Sequence, residues 1–223
     1  MDGAVLFDFD GVVVDTESAV VAAWRADCAA LGVPFDRAAF VAAVGVPSLR
    51  PDRIRAVLGP AAGDPAVAAA RIRARLRQLS GDLPVLPGVH ALLTEIAAAG
   101  VPAAVVSGAT REWVHGHLDR VGLRDAFDLV VCRDDVRAGK PAPDLYLAAL
   151  AALDVPAGSA VAIEDTATGV AAARAAGVRC VAVPGPVTVD HDFSGAATVL
   201  TSLAGVRLTD LLPGRSQRSA GRG

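Results

Sequence analysis

Phe7-Asp8-Phe9-Asp10-Gly11-Val12-Val13-Val14-Asp15-Thr16-Glu17 is the stretch on which the fold turns. It completes an apolar run, residues 4–9, that reads as a buried strand ending on acids. Open α/β sheets place their sites beyond the carboxyl ends of strands, so Asp8 and Asp10 stand where chemistry is expected. Two carboxylates at i and i+2 repel unless a cation or a proton separates them. Gly11 lets the chain turn at once. Taken alone, the pair reads as solvated acids at a strand end.

Outward from this stretch, residues 102–106, 128–132, 160–163 and 178–183 are further short apolar runs bounded by Gly, Pro or charge. Such runs suit parallel strands covered on both faces. Helical patterns lie between them, near 88–99, 110–120, 143–153 and 166–176, with Gly100 and Gly177 where C-caps belong. The alternation predicts an α/β fold with a parallel sheet and right-handed crossovers. Residues 16–84 break it. They hold helical patterns near 17–31, 36–44, 51–58 and 65–79, punctuated by Pro34, Gly59-Pro60 and Pro84. The expected organisation is a core formed by 1–15 and 85–212 and an all-helical insert over 16–84. A tail of Gly, Ser and Arg at 213–223 is expected to be disordered.

Composition closes off several function classes. With 53% apolar and 20% charged residues the 223-residue chain is globular, not disordered. The positive mean hydropathy comes from 47 alanines; no apolar stretch is long enough for a transmembrane helix. A net charge of −3 and 4% aromatic residues give neither a basic footprint nor stacking platforms for nucleic acid. Cys28, Cys132 and Cys180 are odd in number and far apart, which suggests a reducing compartment. Residues 1–4 carry no basic n-region, so no signal peptide is visible and a cytoplasmic setting is expected.

Three other segments end in polar residues. Val105-Val106-Ser107-Gly108 puts a hydroxyl and a free backbone at a strand end. Gly139-Lys140-Pro141-Ala142-Pro143-Asp144 puts a lysine before a helix start. Ile163-Glu164-Asp165-Thr166 puts two carboxylates at another strand end. The 21 basic residues include a single lysine, Lys140. Chance must leave some residue last; the functional reading is a position that needs a primary ammonium. If these strands are neighbours, their acids would hold a hard cation such as Mg²⁺, and lysine, hydroxyl and helix-end amides would hold a phosphate. A P-loop, a GxGxxG and a GxSxG elbow are absent. His115 and His117, two apart on a helix, read as surface residues.

In this order and spacing, the four segments resemble the motifs of the haloacid dehalogenase superfamily, in its β-phosphoglucomutase and phosphoglycolate-phosphatase-like branch, over about residues 3–205. The resemblance implies a Rossmann-like parallel sheet core with an inserted α-helical cap. It implies that Asp8 is the nucleophile that becomes an aspartyl phosphate. Asp10 is implied as general acid and then base, its carbonyl also binding Mg²⁺. Ser107 and the Gly108 amide would hold the phosphoryl oxygens, Lys140 would neutralise nucleophile and phosphoryl group, and Asp165 and Glu164 would bind Mg²⁺.

Within the superfamily, Asp10 argues against dehalogenases, and the lack of lysine before residue 140 against phosphonoacetaldehyde hydrolases. Phe9-Asp10-Gly11-Val12 also differs from the segment that follows the nucleophile of P-type ATPases. β-Phosphoglucomutases typically carry a histidine where this chain has Val20, while Trp24 is retained in a similar place. Arg50 and Arg75 fall where cap cations contact a distal phosphate, although Arg71, Arg73, Arg75 and Arg77 also read as a solvated helix face opposite Ile72 and Leu76. The expected function is a Mg²⁺-dependent phosphatase of a small phosphorylated sugar or organic acid. A sugar phosphomutase is the alternative, and a catalytically idle binding protein a weaker one. The expected partner is that small phosphorylated metabolite, with no nucleic acid and no membrane, for a monomer or weak oligomer.

Overall fold

A computed structural model of the chain describes residues 3–41 and 49–212. The end of the 36–44 helical pattern and the 213–223 tail lie outside these residues. Six strands, β1 (Ala4–Phe7), β2 (Ala103–Val106), β3 (Leu129–Val131), β4 (Ala160–Glu164), β5 (Arg179–Ala182) and β6 (Thr198–Val199), form one sheet in the order β3-β2-β1-β4-β5-β6. Every pairing is parallel, as the alternation predicts. The chain winds from β1 to one side through β2 and β3, then crosses to β4 on the other side. The topological switch point therefore lies at β1, where open sheets of this kind form their crevice.

Strand periodicity divides the core into two layers. Val5 and Phe7 of β1 join Val105, Ile163 and Val181 on one face. Leu92 and Ile96 of α5 (Val89–Ala98), Leu118 of α6 (Arg111–Val121) and Leu208 of α9 (Leu208–Leu211) cover that face. Ala4 and Leu6 join Ala104, Val106 and Ala162 on the other, under Leu145 and Tyr146 of α7 (Asp144–Leu153) and Ala172 of α8 (Ala167–Ala175). Small residues on this second face let α7 and α8 approach the sheet closely.

Four helices follow β1: α1 (Thr16–Ala30), α2 (Arg37–Val41), α3 (Pro51–Leu58) and α4 (Pro65–Leu79). They carry a hydrophobic cluster of their own, built on Trp24, Phe40, Ile54, Leu58 and Ile72. Val187, from the loop after β5, packs into it, and Arg37 donates to the Pro186 carbonyl at 3.1 Å. The buried Asp27 of α1 is clamped by Arg71 of α4 at 2.5 and 2.7 Å and by Arg75 at 3.3 Å. A fully buried carboxylate needs such pairing.

The structure departs from expectation in three places. β1 ends at Phe7, because the amides of Val12, Val13 and Val14 turn back to the Phe9 carbonyl. β6 and α9 carry too little apolar pattern to announce themselves. His117 is not a surface residue. It is buried beneath Trp113, with ring centroids 4.4 Å apart, and against Phe9 at 6.1 Å. Among the described residues no helix is long and apolar enough to cross a membrane.

Candidate active site

Phe7 is level with Val105 on one side and Ile163 on the other, so Asp8, Val106 and Glu164 emerge side by side at one sheet edge. The Asp8 amide continues the ladder by donating to the Ile163 carbonyl at 2.9 Å. Lys140 arrives from the loop before α7. Its Nζ lies 2.6 Å from Asp8 Oδ1, 2.6 Å from Glu164 Oε1 and 2.9 Å from the Val106 carbonyl. An ammonium has three donors, and all three are used. Burial alone would lower the Lys140 pKa, but the charges of Asp8 and Glu164 outweigh it, and Lys140 is held above the ordinary lysine value.

Glu164 is fully buried, and its Oε1 also accepts from the Tyr146 hydroxyl at 2.6 Å. Asp165 is buried beside it, and neither of its carboxylate oxygens has a hydrogen-bond partner among the described residues. Gly11 faces this carboxylate: its φ is +81°, and a Cβ there would stand 2.3 Å from Asp165 Oδ2. The glycine serves both the turn after β1 and the approach to Asp165.

Asp8, Glu164 and Asp165 each offer an oxygen within 4.8 Å of the others, an arrangement that could hold a metal ion. The all-carboxylate set selects a hard cation. Two orphaned buried oxygens on Asp165 are the observation that fits one, since such a group is costly without a counter-charge. Without it, burial first, then the charges of Asp8 and Glu164, push Asp165 well above the carboxylate range. Burial, with Glu164 and Asp10 adding to it, likewise pushes Asp8 up to about 8 against the pull of Lys140.

Asp10 sits across the opening. Thr16 Oγ1 donates to its Oδ1 at 2.5 Å and Trp113 Nε1 to the same oxygen at 2.8 Å, while Ser107 Oγ reaches Oδ2 at 3.4 Å. Ser107 is buried at the end of β2, where its Oγ also accepts from the Ala109 amide at 3.0 Å, and Gly108 beside it is exposed. Glu17, one residue beyond Thr16, is pushed up to about 7 by burial and by the Asp10 charge, which outweigh Arg53.

The structure thus brings together Asp8, Asp10, Ser107, Gly108, Lys140, Glu164 and Asp165 from three strand ends and one loop. It gives Arg50 and Arg75 partners of their own instead. Arg75 is drawn to Asp27, and the exposed Arg50, capping α3, pairs with Asp52 at 3.3 Å. The buried arginine of the helical segment is Arg53, which donates to the Phe40 carbonyl at 3.3 Å. Thr16, Trp113 and Tyr146 were not legible as site residues. Tyr146 had one signal: it is the only tyrosine, on the apolar face of a helix that follows the only lysine.

A family model of haloacid dehalogenase-like hydrolases matches residues 5–183. Protein CbbY of Cereibacter sphaeroides is 35% identical over 217 residues, covering 90% of this chain and 92% of its own. Putative phosphatase YhcW of Bacillus subtilis is 31% identical over 211 residues, covering 94% and 96%. The crystal structure of a CbbY mutant from Rhodobacter sphaeroides in complex with xylulose-(1,5)bisphosphate superposes with a TM-score of 0.79 at 32% identity, covering 95% and 99%. The chain belongs to the haloacid dehalogenase-like hydrolase family and is an enzyme of that class.

Proposed function

We propose that this chain is a Mg²⁺-dependent phosphatase of a small phosphorylated sugar or organic acid, acting through a phosphoryl group carried on Asp8. The observation that carries the reading is the Lys140 ammonium, 2.6 Å from both Asp8 and Glu164, beside an Asp165 carboxylate with no partner among the described residues. A nucleophile, a fixed cation and a further buried carboxylate side by side suit phosphoryl transfer, because it depends on positioning and charge compensation.

In this reading an Asp8 oxygen attacks phosphorus, the bond to the leaving oxygen breaks, and Asp10 gives that oxygen its proton. Water then attacks the aspartyl phosphate and passes a proton back to Asp10. The Asp8–phosphorus bond breaks, and inorganic phosphate leaves. Ser107 and the Gly108 amide hold the phosphoryl oxygens, and Lys140 keeps the Asp8 carboxylate and the incoming phosphate from repelling each other. Asp8, the Asp10 carbonyl, Asp165 and Glu164 would hold a divalent cation, which would supply further charge compensation. The helical segment over 16–84 acts as a cap on the core formed by 1–15 and 85–212, excluding water and choosing the substrate.

The substrate class is supported by the bisphosphate sugar bound to the CbbY relative. Val20, in place of the histidine typical of β-phosphoglucomutases, favours hydrolysis over mutase chemistry. The buried free thiols Cys28, Cys132 and Cys180 suit a reducing compartment such as the cytoplasm. Phosphate release across a panel of sugar phosphates, phosphoglycolate and nucleotides, with and without Mg²⁺, tests the reading. Metal-dependent release from a small sugar or acid phosphate is expected. Turnover only in the presence of a sugar bisphosphate would make the protein a mutase, and no turnover of any kind an idle member.

A further inference from the structure

Trp113 stands in the first turn of α6, and its ring is held edge-on by the buried His117. It packs against both the sheet core and the cluster of the helical segment, so it occupies the junction between them. Its Nε1 donates to Asp10 Oδ1 at 2.8 Å, an oxygen that already accepts from Thr16. A carboxylic proton resides on the oxygen that is not occupied by donors. Donors at 2.5 and 2.8 Å hold Oδ1, whereas Oδ2 accepts only from the Ser107 hydroxyl at 3.4 Å, a rotor that can turn to accept when Oδ2 carries the proton. Ser107 belongs to the phosphoryl-binding end of the site, so Oδ2 is the oxygen turned toward the reacting group.

We propose that Trp113 is a positioning residue for Asp10: its indole N–H pins Oδ1 so that Oδ2 carries the proton exchanged with the leaving oxygen and with water. The inference rests on the phosphatase reading and adds to it which atom handles the proton and what aims it. In the first step the Oδ2 proton moves to the bridging oxygen as that oxygen's bond to phosphorus breaks and the Asp8–phosphorus bond forms. In the second, a proton of the attacking water moves to Oδ2 as the water oxygen bonds to phosphorus and the Asp8–phosphorus bond breaks.

A residue that merely filled space would affect all substrates alike. One that acts through a general acid slows the transfer to Asp8 only for those whose leaving group needs a proton, and kcat/KM reports that transfer alone because the first product leaves before water attacks. Trp113→Phe keeps an aromatic ring and deletes the donor. Its kcat/KM on a sugar monophosphate should fall roughly tenfold to a hundredfold, a share of what a positioned acid contributes. Its kcat/KM on p-nitrophenyl phosphate, whose phenolate departs unprotonated, should stay within about twofold of wild type by the same reasoning. Should Trp113→Phe fold poorly, 3-benzothienylalanine at position 113 replaces the N–H by sulfur and keeps the ring shape. Trp24 Nε1 has no partner among the described residues, so even uniform replacement of both tryptophans would remove only the bond to Asp10. Equal losses of kcat/KM on the two substrates, no loss on either, or a gain on the sugar phosphate would each overturn the inference while leaving the phosphatase reading intact. A wild-type protein that releases phosphate from neither substrate would instead overturn the phosphatase reading, and the inference with it.

Discussion

A Cβ on Gly169 would stand 1.9 Å from Glu164 Oε2, although Gly169 lies in the first turn of α8. Glu164 cannot move aside, because its other oxygen is shared by the Tyr146 hydroxyl and the Lys140 ammonium, each 2.6 Å away, and the side chain is fully buried. The helix is therefore interrupted by a glycine to make room for one carboxylate.

Gly169→Ala consequently sets two effects against each other. Helix propensity would stabilise the variant by about 1 kcal/mol. Forcing Glu164 off its partners costs about 1–3 kcal/mol for overpacking, plus the broken hydrogen bonds of a buried charge. The steric term wins. Chemical denaturation should show net destabilisation, with a loss of turnover that a distant helical Gly→Ala would not cause.

Lys140→Arg preserves charge but not shape. Guanidinium is planar and longer, and it cannot place three donors on Asp8, Glu164 and the Val106 carbonyl at once. Steady-state kinetics should show kcat down roughly tenfold to a thousandfold, the loss of one preorganised contact. Lys140→Ala should lose more activity and also stability, since it leaves buried acids without their cation, a change worth about 3–5 kcal/mol when a buried pair is broken. Although Lys140 is the only lysine, amine reagents should modify it slowly in the native protein. Its side chain is only 9% exposed, and it is held protonated.

Chelation should abolish phosphate release, and Mg²⁺ should restore it. A readout independent of turnover is thermal stability. A cation bound only by the folded state at about a hundred times its Kd adds about 2.7 kcal/mol. The melting temperature of the chelated wild type should therefore rise with added Mg²⁺. Asp165→Asn should lose most of that rise, because it halves the orphaned anionic oxygens that motivate the site.

Glu17 provides a pH signature. Its folded pKa, about 7, lies above the ordinary value of 4.5, so between these two values the folded state holds a proton that the unfolded chain releases. Stability must then fall as pH rises from about 4.5 to about 7, by up to about 3 kcal/mol and less where solvent reaches the carboxylate. Glu17→Gln should make that fall shallower by the share of Glu17, while Asp8 and Asp165, also held above their ordinary values, keep part of the slope. An unchanged slope would assign the effect to other groups.

The sequence by itself determined the parallel α/β frame, the succession of helices after β1 among the described residues and the polar residues at the strand ends, because each of these is local. Buried parallel strands require continuous apolar runs, and their chemistry sits where the runs stop, so Asp8, Ser107, Glu164 and Asp165 mark themselves. Lys140 marked itself by rarity. Only the tertiary structure decided how side chains pair across elements, because helix rotation and packing depth are set by the whole core and leave no local trace. That is why Trp113 could not be assigned to Asp10 or Tyr146 to Glu164 from spacing, and why His117 read as surface until the rings of Trp113 and Phe9 closed over it. That Arg75, read as a substrate contact or a solvated face, also reaches a buried Asp27 48 positions away leaves no local trace either.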